Sequence, residues 1–309
     1  MSQSGFLTRT IARVRKTTNE PTVNAKYDDD DIILEIQSAY AELLAELNRN
    51  SKEPLSAYVD ITMDGSTPAW VLPPTMGAIL NVTTVTSNGD FLSHAIPSSR
   101  YNAMGRNWRI SGNFLFVDPD LYTSSTIFRI EFEPTGSAEL HEGTIDATSA
   151  IVTTGDYPVI TLAAIPTAGA LDTRDNAYAG SIFRILNDTG GSGTLKPYVQ
   201  EHVIKSSDSE NRTVTIWTDL SPTPGGTTMT YEIAPVLDSI LDKVIAVKVS
   251  RWLVSNEGDS RRFKTISQQY IEMMRDMRLR FGKRHKFAGG KVNKDGHANR
   301  RGFVFEKHI

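Results

Sequence analysis

The chain has 309 residues, 39% hydrophobic and 22% charged, a globular rather than disordered balance with length for roughly two domains. The absence of cysteine excludes disulfides, thiolate metal sites and a cysteine nucleophile, and no run approaches the roughly eighteen apolar residues of a membrane span. The net charge of −3 conceals an asymmetry: residues 275–309 hold eleven Lys or Arg against three acids, net +8, leaving 22 basic against 33 acidic residues, net −11, in the rest.

Residues 1–26 read as an N-terminal arm. Arg9, Arg13, Arg15 and Lys16 interrupt any signal-peptide core, and no acid occurs in the first nineteen residues. A mitochondrial transit peptide has a similar composition, but a basic arm accounts for the same residues more simply. Residues 27–50 then predict the first long helix. Ile33, Ile36, Tyr40, Leu43 and Leu47 recur at steps of three and four, and the aspartates at 28–31 sit where cap oxygens and negative charge meet the positive end of a helix dipole. Adjacent carboxylates lack the alternating spacing of a calcium loop, so capping is preferred to metal binding.

From 51 to 135 the period becomes two, which predicts a small β-domain. Val59, Ile61 and Met63 alternate, Trp70 to Leu72 stops at two prolines, Ile79 to Val85 forms another run, and NWRISGNFLFVDP reads as a hairpin turning at Gly112-Asn113. Phe128, Ile130 and Phe132 alternate with charged residues. Residues 136–235 predict an additional inserted, sandwich-like β-domain, with strands at 159–162, 182–186, 198–204, 214–217 and 229–233. Residues 236–282 predict two further helices. The first is apolar around most of its circumference; the second carries the stripe Phe263, Ile266, Tyr270, Met273, Met277 and Phe281. The fold class expected is therefore α+β: a three-helix bundle of one N-terminal and two C-terminal helices, a two-part β-domain insertion, and an extended C-terminal arm at 283–309.

Motifs for chemistry are sparse. The histidines at 94, 141, 202, 285, 297 and 308 are scattered without ligand spacing and read as surface or loop residues. GGSGTLKP lacks the GK[ST] ending of a phosphate loop, and no G-x-S-x-G elbow occurs. In DTRDN, Arg174 stands where a calcium loop needs an oxygen ligand, so a turn is expected. The chain thus predicts no enzyme, no cofactor and no metal. The basic, Gly-punctuated C-terminal segment carries Phe281, Phe287, Phe303 and Phe305. It suits either a nucleic-acid arm, with cations on phosphates and rings on bases, or a docking arm whose phenylalanines anchor in a partner. The closing GFVFEKHI favours docking, because an alternating strand can add to a partner's sheet edge or cleft.

The order of elements resembles the head-to-tail adaptor (connector, or neck) proteins of tailed bacteriophages. The matching stretches are the opening helix DIILEIQSAYAELLAEL, the strand phrases AWVLPP and GNFLFVDP, and the closing helix pair from APVLDSIL to RLRFG, about two thirds of the chain. Residues 136–235 have no counterpart in the smaller adaptors. The resemblance implies a structural virion protein at the head-tail interface, made in the host cytoplasm. It implies a homo-oligomeric ring, usually of twelve copies, that contacts the portal protein through the arm, meets tail or neck proteins, and has no membrane partner. Phe287, Arg300, Arg301, Phe303, Phe305 and Lys307 are then the candidates for portal docking. Lys283, Arg284 and Lys286 are candidates for transient contact with exiting genomic DNA. The alternatives are a nucleic-acid-binding protein with a basic tail, or a receptor- or carbohydrate-binding virion component using 136–235.

Overall fold

The structure, a computed structural model, describes residues 4–20, 25–50, 56–85, 108–117, 126–154, 157–190, 193–194, 196–234 and 238–281. Among these, five helices form: α1 (Phe6–Thr18), α2 (Asp29–Asn50), the single turn α3 (Ala147–Ala150), α4 (Asp238–Glu257) and α5 (Ser260–Phe281). The strands are β1 (Ala57–Thr62), β2 (Ala69–Val71), β3 (Met76–Val85), β4 (Trp108–Ser111), β5 (Phe114–Val117), β6 (Ile127–Pro134), β7 (His141–Ile145), β8 (Ile151–Thr154), β9 (Tyr157–Thr161), β10 (Ala168–Gly169), β11 (Ile182–Asp188), β12 (Lys196–Asp208), β13 (Thr213–Ile216) and β14 (Met229–Ala234).

The expected fold class is overturned. The protein is mostly β, with one eight-stranded antiparallel sheet, ordered β10-β7-β14-β11-β12-β13-β9-β8, and two three-stranded sheets, β1-β6-β3 and β2-β5-β4. It is not a three-helix bundle carrying an insertion, because local periodicity finds strands without showing that eight of them pair into one dominant sheet. Residues 6–18 also form a helix where a basic arm was expected. Phe6, Leu7, Thr10, Ile11, Val14 and Thr18 make a buried stripe, while Arg13 pairs with Asp242, and Arg15 with Asp29 and Glu20. Two of the charges that resembled a solvated arm, Arg13 and Arg15, are thus paired with carboxylates of the fold.

Helices α1, α2, α4 and α5 share an apolar core that includes Phe6, Leu7, Ile11, Val14, Ile36, Leu43, Leu44, Leu241, Ile245, Met274 and Met277. Each large side chain buried there is worth about 1.5–3 kcal/mol of transfer free energy. Helix α4 is apolar on most sides because it packs on all three of the other long helices.

In the small sheets the two-residue alternation maps directly onto one buried face. Val59, Ile61 and Ala57 of β1 stand opposite Ile130, Phe128 and Phe132 of β6, and all six are buried. Gly112, with φ +58, makes the turn of the β4–β5 hairpin. In the large sheet the thirteen-residue β12 pairs with β11 through its first half and β13 through its second, with a register shift between Ile204 and Ser206. The sheet folds over there, so that Ile160, Val214 and Ile216 from one end share a core with Phe183, Tyr231 and Ile233 from the other. One bent sheet thus closes its own core.

Candidate functional site

All nine residues singled out from the sequence, Lys283, Arg284, Lys286, Phe287, Arg300, Arg301, Phe303, Phe305 and Lys307, lie outside the described residues. What the structure does place is the helix that leads to them. Asp259 starts α5, its side chain accepting hydrogen bonds from the backbone N–H of Arg261 (3.1 Å) and Arg262 (3.0 Å). Ile266, Met274 and Met277 bury the inner face, and Arg278 donates to Glu46 of α2 from Nε (2.8 Å) and from its terminal nitrogen (2.6 Å). The outer face keeps Ile271 at 63% and Leu279 at 65% exposure, with Arg261, Lys264, Arg275 and Arg280 also exposed. At 1.5 Å per residue this 22-residue helix extends about 33 Å from its cap toward residue 282.

Beside it, α2, α4 and the start of α5 enclose a groove of about 300 Å³ lined by Glu35, Glu42, Lys248, Arg251, Trp252 and Phe263, among others. Its floor is apolar and its rim charged. Lys248 pairs with Glu42, while burial and then the Glu42 charge hold the Glu35 carboxyl above the ordinary carboxylate range. The Arg251 guanidinium lies 5.3 Å from the ring centre of Phe263 and 5.7 Å from that of Tyr270, and Trp252 packs on Tyr27.

A second aromatic cluster joins the small β1-β6-β3 sheet to the large one. Trp217 packs between Tyr58 (5.5 Å) and Tyr157 (5.4 Å), with Arg129 above Tyr58 and Lys205 3.7 Å from the ring centre of Tyr157. These ring faces carry cations of the protein itself, which gives the cluster the character of a clamp.

Two histidines depart from the surface placement expected. His141 is fully buried, its Nε2 2.9 Å from the Tyr231 hydroxyl, and burial pushes its pKa down to about 4. His202 is also buried, between Thr218 (2.7 Å) and Gln200 (3.0 Å), with its pKa lowered by desolvation. Both act as neutral hydrogen-bonding core residues. In DTRDN, Arg174 itself pairs with Asp172 (2.7 Å), closing that turn with an internal cation.

Sequence reasoning missed a line of charge across four strands. Glu142 on β7 stands opposite Glu232 on β14, Glu232 opposite Arg184 on β11, and Arg184 opposite Glu201 on β12. Arg184 pairs with both Glu232 and Glu201. Carboxylates at inward positions of LHEGTI and YEIA are the only local trace of this arrangement.

Comparison of the chain with protein-family models, with curated proteins and with solved structures finds no match. Among the described residues no helix is long and apolar enough to cross a membrane, and no group of His, Asp and Glu is arranged to hold a metal ion.

Proposed function

We propose that the chain is a structural virion protein, a head-to-tail adaptor that assembles as a ring beneath the portal and docks to it through residues 283–309. The observation that carries this reading is α5. The helix is held along its inner face, remains basic and partly apolar along its outer face, and leads directly into a segment rich in Lys, Arg and Phe. A rigid helix ending in a cationic, aromatic segment limits the positions that segment can explore and so raises its effective concentration at a partner surface. A closed ring needs two different complementary patches on each copy. The outer face of α5 supplies one candidate. The register pair of Val71, on the edge strand β2, and Phe114, on the central strand β5, both exposed, supplies the other.

The test is truncation after Gly282, followed by mass photometry with purified portal rings. The truncated chain should keep its melting temperature and lose portal attachment; attachment at the wild-type level would overturn the assignment.

A nucleic-acid-binding reading draws on the same basic face. Arg262 and Arg278 are, however, engaged by carboxylates, which reduces the charge free for phosphates. Binding that falls about a thousandfold or more between 50 and 200 mM salt would favour that reading over docking.

A further inference from the structure

Helix α1 starts without a cap of its own. Its N-cap residue is Gly5, which offers no side-chain acceptor, so the first backbone N–H groups require partners from elsewhere. They find them on the large sheet. Glu232 accepts from the N–H of Phe6, and Glu142 accepts from the N–H of Leu7, from that of Thr8 (3.3 Å) and from the Thr8 hydroxyl (2.7 Å). The fit is close enough that a Cβ on Gly5 would overlap the Glu142 carboxyl group.

The two carboxyl groups are direct cross-strand neighbours and both are buried, Glu142 at 5% and Glu232 at 0% exposure. Like charges placed directly opposite destabilise a sheet, and burial amplifies the repulsion. The charged groups facing the pair are Arg184 from β11, with Glu201 of β12 behind it, and Arg9 from α1, whose charge acts on Glu232. Arg184 pairs directly with Glu232. Glu142 is met by amide and hydroxyl donors and by the Glu232 charge.

We infer that α1 is a proton-controlled latch: a proton on Glu142, beside the Glu232 charge, holds the helix on the large sheet, and loss of that proton loosens it. Burial, and then the neighbouring Glu232 charge, outweigh the hydrogen bonds and push the Glu142 pKa up to about 7; burial raises that of Glu232 as well. A carboxyl group whose pKa is raised on docking binds its proton more tightly in the docked state. Docking is therefore strongest at low pH, weakens as pH rises above the ordinary value of 4.5, and reaches its weakest level above about 7. His141, the other titratable group of β7, titrates below this window and faces Tyr231. The ion pair of Arg13 with Asp242 anchors the middle of α1, so the latch modulates a helix that is also held by apolar contacts.

The experiment is hydrogen exchange by mass spectrometry on the full-length chain at pH 6 and pH 8, corrected for the intrinsic pH dependence of exchange. Opening of α1 should be roughly tenfold more frequent at pH 8, as docked and free pKa values of about 7 and 4.5 require, while amides of β11 and β14 change by less than twofold. In Glu142→Gln the side-chain oxygen still accepts the α1 amides but carries no charge, and the pH dependence should disappear. Equal opening of wild-type α1 at the two pH values, or an unchanged pH dependence in Glu142→Gln, would overturn the inference. Should that variant not fold, the wild-type comparison between α1 and the central strands decides alone.

Discussion

The Arg129 guanidinium is gripped by Asp60 through two 2.8 Å hydrogen bonds and lies 5.7 Å from the ring centre of Trp217, so one side chain joins the small β1-β6-β3 sheet to the end of β13. The Asp60 carboxylate is nearly buried, and removal of Arg129 would leave it without its bidentate partner. Arg129→Ala is expected to cost about 2–3 kcal/mol, allowing for partial solvation of the arginine. Arg129→Lys should recover less than half of this, since an ammonium cannot reproduce the planar fork. Urea denaturation monitored by tryptophan fluorescence reads both values.

Gly169 has φ +81 and sits where β10 meets β7 and α1; a Cβ there would overlap the carbonyl oxygen of Leu140 and lie 2.8 Å from Leu7 Cδ1. Gly169→Ala combines left-handed strain of about 1–2 kcal/mol with an overpacking cost of similar size. A loss of about 3 kcal/mol is expected in chemical denaturation, with exchange protection falling first in α1. Gly112→Ala is the control. Its φ of +58 carries comparable strain, but nothing lies within 4 Å of a Cβ there, so a loss of only about 1–2 kcal/mol is expected.

Elements governed by local chemistry were legible in the sequence. Phe128, Ile130 and Phe132 alternate in β6 and all reach 0% exposure, and Gly112-Asn113 marks a real hairpin, because period and turn preference act within a few residues. On α5, Ile266 and Met277 of the expected stripe are buried, and Phe263, Tyr270 and Met273 pack partly against the core. Relations between distant residues were not legible. The four basic residues of α1 signalled an arm, since nothing in their vicinity reveals that Asp242 and Asp29 receive two of them. The ladder from Glu142 to Glu201 depends on the register of four strands, which no short motif encodes. The nine docking and DNA-facing candidates lie outside the described residues, leaving the groove beside Trp252 and the outer face of α5 as surfaces that came from the structure alone.

Asp172 should make a segment of the fold sensitive to acid. Burial raises its pKa, but hydrogen bonds from the Arg174 side chain and from the backbone N–H of Arg174 and Glu139 outweigh burial and hold it below the ordinary 3.8. A carboxyl group with a depressed native pKa contributes stability above its unfolded value and loses it as pH falls below. Asp172→Asn should therefore cost about 1–2 kcal/mol at pH 7, discounted because Arg174 is partly solvated. The gap from wild type should begin to close as pH drops below about 4. Thermal melts of both chains between pH 3 and pH 7 provide the check.

Ile271 and Leu279 separate the demands of folding from those of assembly. They lie about 12 Å apart along the α5 axis, and each is more than 60% exposed, so Ile271→Glu and Leu279→Glu should change monomer stability by no more than about 0.5 kcal/mol. If the outer face of α5 is the core of a subunit contact, each carboxylate is buried on assembly against an apolar surface, a cost of several kcal/mol. Self-association should then weaken by about a hundredfold or more. Ile165→Glu is the control: at 86% exposure it introduces the same charge at a site remote in sequence from α5. Mass photometry of the three variants should show ring-sized particles for Ile165→Glu and wild type, and single chains for the two α5 variants. Ring formation by Ile271→Glu and Leu279→Glu at wild-type concentrations would remove the outer face of α5 from the subunit contact, leaving the Val71 and Phe114 pair to be tested in the same way.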